Sequence, residues 1–81
     1  MAGDRLQDLV AYIASSLVDD PDAVEVNVVE EDRAIVLELT VAPDDLGKVI
    51  GKEGRTARAI RTLLSATSAR MHKRAILDIL E

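Results

Sequence analysis

The first part of the chain has the spacing of an amphipathic helix. Apolar residues recur every three or four positions over residues 5–17, at Leu6, Leu9, Val10, Ile13 and Leu17. This spacing places them on one face of an α-helix. Asp4 is positioned to cap the helix, with Gln7 three residues later as in a loose capping box. The Asp-Asp-Pro-Asp run at 19–22 predicts a turn that ends it.

Two segments after this turn alternate apolar and polar side chains with a period of two, which is typical of strands with one buried face. In residues 23–30 the apolar face consists of Val24, Val26 and Val28, and in residues 34–41 it consists of Ile35, Leu37, Leu39 and Val41. The intervening segment, 30–33, is short and polar. The two strands are therefore expected to form a hairpin.

The second half predicts a short helix, a glycine-bracketed turn, a longer helix and a third strand. These are expected at residues 43–50, 51–54, 55–69 and 73–80. Pro43 suits the first turn of a helix because its fixed φ is helical. On a helical wheel of the longer helix, Ile60, Leu63, Leu64 and Thr67 share one face, and Arg55, Arg58, Arg61, Thr62 and Ser65 share the opposite one.

The predicted order is α-β-β-α-α-β, an α+β domain in which helices cover one face of a three-stranded sheet. The helices between the second and third strands give the long connection that a parallel pairing requires. With one face covered, four apolar residues would remain on the other face, namely Val29, Val36, Ile76 and Leu80. No repeat or linker divides residues 1–81, so a single domain is expected.

Composition and charge narrow the function class. The 81 residues include no cysteine, which excludes a disulfide framework and thiol chemistry. The net charge of −5 hides a segregation, because residues 1–43 carry −8 and residues 44–81 carry +3. A basic second half can attract a polyanion to one face. No apolar run is long enough for a transmembrane helix, and the acidic N-terminus does not look like a signal peptide. A cytoplasmic protein without membrane association is expected.

The segment 46–55, Leu-Gly-Lys-Val-Ile-Gly-Lys-Glu-Gly-Arg, carries the most informative chemistry. Glycines at 51 and 54 permit a tight turn and close approach of a ligand backbone. The helix after them presents unpaired N–H groups and the positive end of its dipole, which suits a phosphate. Four cationic side chains surround the turn: Lys48, Lys52, Arg55 and Arg58. A purely structural corner would use the same two glycines, and it stays as the alternative.

The Val-Ile-Gly-Lys-Glu-Gly motif at 49–54 resembles the V-I-G-x-x-G signature of KH domains. The element order is similar to the type II arrangement of these domains in bacteria. The run Ala-Pro-Asp-Asp-Leu-Gly-Lys-Val-Ile-Gly-Lys at 42–52 and the run Ser-Leu-Val-Asp-Asp-Pro at 16–21 resemble the KhpA family of small stand-alone KH proteins. The resemblance covers almost the whole chain. It implies one type II KH domain over residues 1–81, with its GxxG loop at 51–54.

This resemblance implies a module that binds single-stranded RNA, because the GxxG loop of a KH domain clamps the backbone of four nucleotides. The RNA-binding residues that it implies are Lys48, Ile50, Gly51, Lys52, Glu53, Gly54, Arg55 and Arg58. Ile50 would line a groove for bases together with Leu39 or Val41. Glu53 places a carboxylate beside the phosphate site. Tyr12, the only aromatic residue, lies in the first helix, so stacking of bases on aromatic rings is not expected.

Partners are also implied by the resemblance. Members of the KhpA family act with a larger RNA-binding protein, KhpB (also called Jag or EloR), as an RNA chaperone linked to cell-wall synthesis and cell shape. A homodimer is expected as well, because two linked modules bind RNA more tightly than one. Val36, Ile76 and Leu80 on the outer face of the sheet supply a surface for it. The longer helix at 55–69, which follows the glycine loop, is the other candidate surface.

No enzyme is predicted, and neither a metal nor another cofactor. The spacing of a P-loop fails because position 52 is lysine where the second glycine is required. His72 lacks a nearby nucleophile or second ligand and is expected at the surface. The acidic residues at 44–45 and 19–22 suit a helix start and a turn better than a cation site. The remaining alternative to RNA binding is a protein-interaction module that uses the apolar face of the sheet.

Overall fold

The computed structural model describes residues 2–81, and their elements follow the predicted order. Three helices and three strands are present: α1 (Ala2–Leu17), β1 (Glu25–Glu30), β2 (Ala34–Thr40), α2 (Leu46–Ile50), α3 (Arg55–Ser68) and β3 (Arg74–Ile79). Single 3₁₀ turns lie at Pro21–Ala23, Pro43–Asp45 and Lys52–Gly54. The predicted α-β-β-α-α-β order is therefore confirmed.

The three strands form one mixed sheet in the order β1-β2-β3. β1 and β2 are antiparallel and form the predicted hairpin, in which the N–H of Glu31 donates to the carbonyl oxygen of Ala34 at 2.7 Å. β2 and β3 are parallel, as the long connection through α2 and α3 requires. Residue 36 lies between residue 29 on one neighbour and residue 76 on the other. The side chains of these three residues therefore form one row across the sheet.

All three helices pack against the face of the sheet that carries Ile35, Leu37 and Leu39, each of which is fully buried. The helices contribute to this core the side chains of Leu6, Val10, Ala14, Val49, Ile60 and Leu64. Removing one such aliphatic side chain from water stabilises the fold by about 1.5–3 kcal/mol. The core thus fixes α2 and α3, and with them the loop between the two helices.

The other face of the sheet remains partly open, as the sequence predicts. Val29 is 42% exposed, Ile76 is 37% exposed and Val36 lies half-buried between them. We call these three residues the outer apolar row. Leu80, which follows β3, is also exposed.

The first part of the chain departs from the prediction at two boundaries. α1 begins at Ala2, so Asp4 lies in its first turn instead of capping it, and an acidic residue there complements the helix dipole. β1 begins only at Glu25, because Pro21 starts a 3₁₀ turn in which the N–H of Val24 donates to the carbonyl oxygen of Pro21 at 3.2 Å. Both shifts are three residues or fewer and leave the order of elements unchanged.

The buried face of α3 is rotated from the one that the helical wheel predicts. Leu63 is 51% exposed and Thr67 is exposed, so their assignment to the core face is wrong. The buried residues of α3 are Ala57, Ile60, Leu64 and Ser68. The small side chains at 57 and 68 let the ends of the helix approach the core closely, whereas a wheel weighted by hydrophobicity favours the larger Leu63. The predicted polar face, which includes Arg58 and Arg61, is exposed.

Among residues 2–81, no helix is long and apolar enough to cross a membrane. The same residues contain no group of three or more histidine or acidic side chains that could hold a metal ion.

Candidate nucleic-acid interface

The loop between α2 and α3 adopts a backbone that is left-handed at three of its four residues. Gly51 has φ 77° and ψ 170°, Glu53 has φ 58° and ψ 23°, and Gly54 has φ 74° and ψ 15°. The N–H of Gly51 donates to the carbonyl oxygen of Gly47 at 2.8 Å, which ends α2. The N–H of Gly54 donates to the carbonyl oxygen of Gly51 at 3.1 Å. These bonds fold the loop back tightly onto the start of α3.

The two glycines are required for different reasons. A Cβ on Gly51 would lie 2.9 Å from the backbone nitrogen of Thr56 and 2.8 Å from its Cβ, and it would also collide with its hydroxyl. The backbone of Gly51 further occupies a region of φ and ψ that is essentially restricted to glycine. A Cβ on Gly54 would meet no atom within 4 Å. Gly51 therefore packs inward, whereas Gly54 leaves the outer side of the loop open to a ligand.

The cationic side chains at this loop differ in how many hydrogen bonds and ion pairs they already make within the chain. Lys52 is exposed and, within residues 2–81, makes no hydrogen bond or ion pair. Arg58 donates weakly to the backbone oxygen of Glu53, with Nη2 at 3.4 Å. Arg55 lies 3.6 Å from the Glu53 carboxylate, and both side chains are well exposed. Glu53 thus offsets part of the charge of Arg55, while the ammonium group of Lys52 stays available.

The predicted groove for bases is only partly present. Ile50 is half-buried at the end of α2 and packs against the core. Leu39 is 0% exposed and presents no surface to a base, so its assignment to the groove is wrong, whereas Val41 is 8% exposed and lines an apolar cavity with Pro43 and Leu46. Both belong to the buried face of the β2 alternation, which continues one residue beyond the strand. Ile50 remains the one predicted apolar contact beside the loop.

Lys48, the middle residue of α2, is bound within the chain. Its ammonium nitrogen lies 2.9 Å from Asp19 Oδ2 and 3.2 Å from Asp45 Oδ1. The hydrogen bond to Asp19, followed by that to Asp45, raises the pKa of Lys48 above its usual value. The structure therefore places this cation against the turn after α1, instead of toward the glycine loop.

Asp45 is the centre of this ionic cluster. The residue is only 2% exposed, and it accepts a hydrogen bond from the N–H of Asp20 at 3.0 Å as well as that from Lys48. Burial alone would raise the pKa of Asp45, but the backbone N–H groups of Asp20 and Asp19 and the ammonium of Lys48 outweigh it and lower that pKa. The carboxylate thus ties the start of α2 to the turn after α1.

Sequence reasoning missed two residues that shape this site. Asp45 reads as an ordinary acidic residue of a helix start, although its position four residues before the buried Val49 places both on one helix face. Thr56 carries no sequence signal for its contact with Gly51, because that contact depends on the fold of the loop. Asp45 holds the start of α2, and Thr56 limits the residue that can occupy position 51.

Comparison with known proteins agrees with this geometry. The family model described as KhpA/KhpB, KH domain matches residues 7–79. A curated relative from Caldanaerobacter subterraneus subsp. tengcongensis is 55% identical over 73 residues, which are 90% of this chain and 97% of the relative. Relatives from Aquifex aeolicus and Clostridium acetobutylicum are 50% identical over 76 residues (94% of this chain, 96% of the relative) and 49% identical over 75 residues (93% and 100%).

All three relatives carry the name RNA-binding protein KhpA. That name describes a binding protein and not an enzyme, in agreement with the prediction made from the sequence. The relatives cover nearly the whole chain and share about half of its residues, which is enough to assign the chain to their family. The chain belongs to the KhpA/KhpB family of KH-domain proteins.

Proposed function

We propose that this protein binds single-stranded RNA through the loop at residues 51–54. The observation that carries the proposal is the loop itself, an open, left-handed backbone with an unoccupied ammonium group at the start of a 14-residue helix. The names of the relatives support the same ligand. A purely structural corner would need Gly51, but it would not need an exposed Lys52 or the open side of Gly54.

In the proposed complex, the RNA backbone lies across the open side of Gly54, where no side chain blocks its approach. Lys52 contacts a phosphate directly. Arg55 and Arg58 flank it from the first turns of α3, where the helix dipole also favours an anion. A KH loop of this kind holds about four nucleotides. The apolar edge of Ile50 is the surface that remains for a base.

Electrostatics limit the affinity of such a site. The chain as a whole carries −5, so only its basic second half attracts RNA. Tyr12, the only aromatic residue, lies on α1 and is exposed there, so no aromatic ring supplies stacking energy at the loop. We expect a Kd on the order of micromolar or weaker for one domain, with affinity falling as salt rises.

The test is a double substitution, Lys52→Asp with Glu53→Asp, titrated against a labelled single-stranded oligonucleotide. Both side chains are exposed, and aspartate tolerates the left-handed backbone at position 53. Arg5→Asp is a control with the same change in charge, because residue 5 lies at the opposite end of α1 from the turn that contacts α2. Loss of binding in the loop variant alone, at an unchanged melting temperature, supports the proposal. Undiminished binding contradicts it and leaves the structural corner.

We further propose self-association, with exchange into a complex with a larger KhpB/Jag-like protein. The outer apolar row supports it, since exposed aliphatic side chains that are aligned across three strands favour association. Leu63, exposed on α3, is the other apolar surface near the loop. The cytoplasmic location rests on the sequence features described above, and the RNA-chaperone role and the link to cell wall and cell shape rest on the family resemblance.

Light scattering over a concentration series tests the association. Ile76→Asp places a charge in the outer apolar row and is expected to reduce the dimeric mass. Tyr12→Asp is the matched control, because that side chain is 74% exposed on α1 and lies outside the row. A monomeric mass at every concentration contradicts self-association. A dimer that survives Ile76→Asp but not Leu63→Asp moves the interface to α3.

A further inference from the structure

Charged side chains flank the outer apolar row on the open face of the sheet. Alternation along the strands places Glu38 and Asp78 on this face, two residues after Val36 and Ile76. Arg74 lies on the same face, two residues before Ile76. The outer apolar row therefore has negative charge on one side and positive charge on the other.

The two carboxylates on this face form an unfavourable pair. Glu38 and Asp78 are partners in the parallel register of β2 and β3, so they are neighbours on adjacent strands. Like charges directly opposite each other on one face of a sheet are destabilising. Within residues 2–81, neither carboxylate forms an ion pair or accepts a hydrogen bond. We call these two residues the outer acidic pair, and a cation from outside the chain would offset their repulsion.

Arg74 is a cation without a carboxylate partner. The residue is exposed, and its side chain makes no ion pair or hydrogen bond within residues 2–81. Its neighbour in β2 is Ala34, which has no group to engage a guanidinium. Asp78 lies four residues further along the same strand, a distance of about 13 Å, which is too long for an ion pair. The opposite charges are thus equally spaced about Ile76 but do not meet within one copy of the chain.

We propose that two copies of the chain pack their outer faces together about a two-fold axis that runs along the outer apolar row, across the strands. This inference rests on the proposed self-association and assigns its orientation. A rotation of 180° about this axis places each strand over its own counterpart and reverses its direction. The side chain two residues after the row then faces the side chain two residues before the row. Asp78 of each copy therefore faces the partner's Arg74, and the contact occurs twice because the interface is isologous.

The charges favour this axis over the other two-fold axis that packs the same faces. An axis parallel to the strands, along β2, would place Glu38 against the partner's Glu38 and leave Arg74 without a carboxylate from the outer acidic pair. The axis across the strands places the guanidinium against that pair instead. Packed sheets lie about 10 Å apart, with strand directions within about 30° of each other, and an arginine side chain is long enough to cross such a gap. The aliphatic side chains of the outer apolar row meet their own counterparts at the centre.

The size of the face limits the strength of this dimer. Three strands about 4.8 Å apart, with six residues each at about 3.3 Å, cover about 14 by 20 Å. Such an area is at the low end for specific interfaces, so we expect the dimer to form only at high protein concentration. The helices pack on the opposite face of the sheet. The dimer therefore leaves the glycine loop and the exposed Leu63 uncovered.

The experiment measures the dissociation constant of self-association by sedimentation equilibrium for four forms of the full chain. These are the wild type, Asp78→Arg, Arg74→Asp, and the double variant that carries both substitutions. In each single variant like charges meet twice, and we expect the dissociation constant to rise by about tenfold or more. The double variant has the wild-type net charge and opposite charges at both contacts. We expect it to recover most of the wild-type association, which also shows that neither substitution prevents folding.

Mixing the two single variants gives the sharpest test. Asp78→Arg presents arginine at both positions and Arg74→Asp presents aspartate at both, so their mixed dimer has two favourable contacts. We expect each variant, labelled in turn, to bind the other about tenfold more tightly than it binds itself. The control mixture is Asp8→Arg with Arg70→Asp, which makes the same charge changes at exposed positions outside the outer face.

The possible results separate this orientation from self-association itself. If the wild type is monomeric at every concentration, self-association fails and the orientation fails with it. If both single variants associate as the wild type does, self-association stands and the orientation is wrong. An equal gain in the control mixture would mean a general attraction between opposite charges, and it would also overturn the orientation. RNA binding at the glycine loop is measured by the oligonucleotide titration and is not affected by any of these results.

Discussion

The two ends of α2 carry the same residue types in opposite environments. At the first end, the buried Asp45 and the ammonium group of Lys48, which reaches back from the middle of the helix, are bound to each other and to the turn after α1. Beyond the second end, Lys52 and Glu53 are exposed and not bound to each other, and Lys52 has no partner within residues 2–81. Only about one helical turn of sequence separates the two lysines. Their difference shows that the location of backbone N–H groups and burial, not residue type, decides which lysine holds the fold and which is free for a ligand.

The two ends of α2 also differ in whether charged side chains are used to hold them in place. The first end of α2 is fixed by hydrogen bonds to a carboxylate that is almost entirely removed from water. The second end is fixed mainly by the backbone, since Gly51 packs against Thr56 and the only cation within residues 2–81 that contacts the loop backbone, Arg58, does so through one long hydrogen bond. A loop held in this way keeps the ammonium group of Lys52 free while its shape stays defined.

The largest expected effect is that of Gly51→Ala, which disturbs the backbone that fixes the second end of α2. The substitution forces a Cβ against the backbone of Thr56 and imposes a conformation that costs about 1–3 kcal/mol on its own. We expect the free energy of unfolding, measured by urea denaturation, to fall by at least that amount. Gly54→Ala meets no atom and is expected to cost only about 1–2 kcal/mol for its left-handed backbone. Equal losses in the two variants would contradict the inward role of Gly51.

Asp45→Asn removes the carboxylate that fixes the first end of α2. The pKa of Asp45 is lowered from 3.8, so its carboxylate stabilises the fold fully above about pH 4 and loses this effect as pH falls through the lowered pKa. The variant should be less stable than the wild type at pH 7, and the difference should shrink as both are unfolded at successively lower pH toward 3. Asp44→Asn, at an exposed neighbour, is the control for the general effect of removing one carboxylate from this segment. A difference that stays constant with pH would show that the charge of Asp45 does not matter.

Lys52→Gln and Lys48→Gln test the comparison in RNA binding. Lys52→Gln removes one exposed ionic contact, which corresponds to about a fivefold loss of affinity and a fall of about 0.7 in the salt slope. Lys48→Gln should leave the affinity nearly unchanged and lower the melting temperature instead, because this lysine already binds Asp19 and Asp45. Fluorescence anisotropy with one oligonucleotide at several salt concentrations measures both. Equal losses of affinity would restore Lys48 to the RNA-binding site.

Glu53→Gln has the smallest expected effect. Removing the carboxylate releases Arg55, whose guanidinium lies 3.6 Å from it, and takes a negative charge away from the proposed phosphate. Because both side chains are exposed, the gain in RNA affinity should be only about twofold to threefold. The same titration measures it, with Asp44→Gln as a control for the loss of one negative charge elsewhere. Weaker binding would mean that Glu53 contacts the RNA itself.

Local periodicity accounts for what could be predicted from the sequence. The alternation of Ile35, Leu37 and Leu39, and the glycines at 51 and 54, each report on neighbours within a few residues. The contacts that could not be predicted join distant parts of the chain. Asp45 meets Asp20 across 25 residues, and the backbone contact between Arg33 and Arg74 spans the whole of α2 and α3. The buried face of α3 likewise depends on how the helix packs against the sheet. Its own periodicity does not report this packing, and Leu63 is therefore exposed although the helical wheel places it with Ile60 and Leu64.

The parallel pairing of β2 with β3 has a consequence for how the molecule forms. β1 and β2 meet across a three-residue turn, whereas β3 reaches β2 only after residues 41–73 have been ordered or looped out. Closing a long loop costs entropy before any contact repays it. We therefore expect the hairpin to form early and the return of β3 to limit the rate of folding. Since α2 and α3 lie inside that loop, we expect the glycine turn to acquire its final geometry in the same late step that completes the sheet.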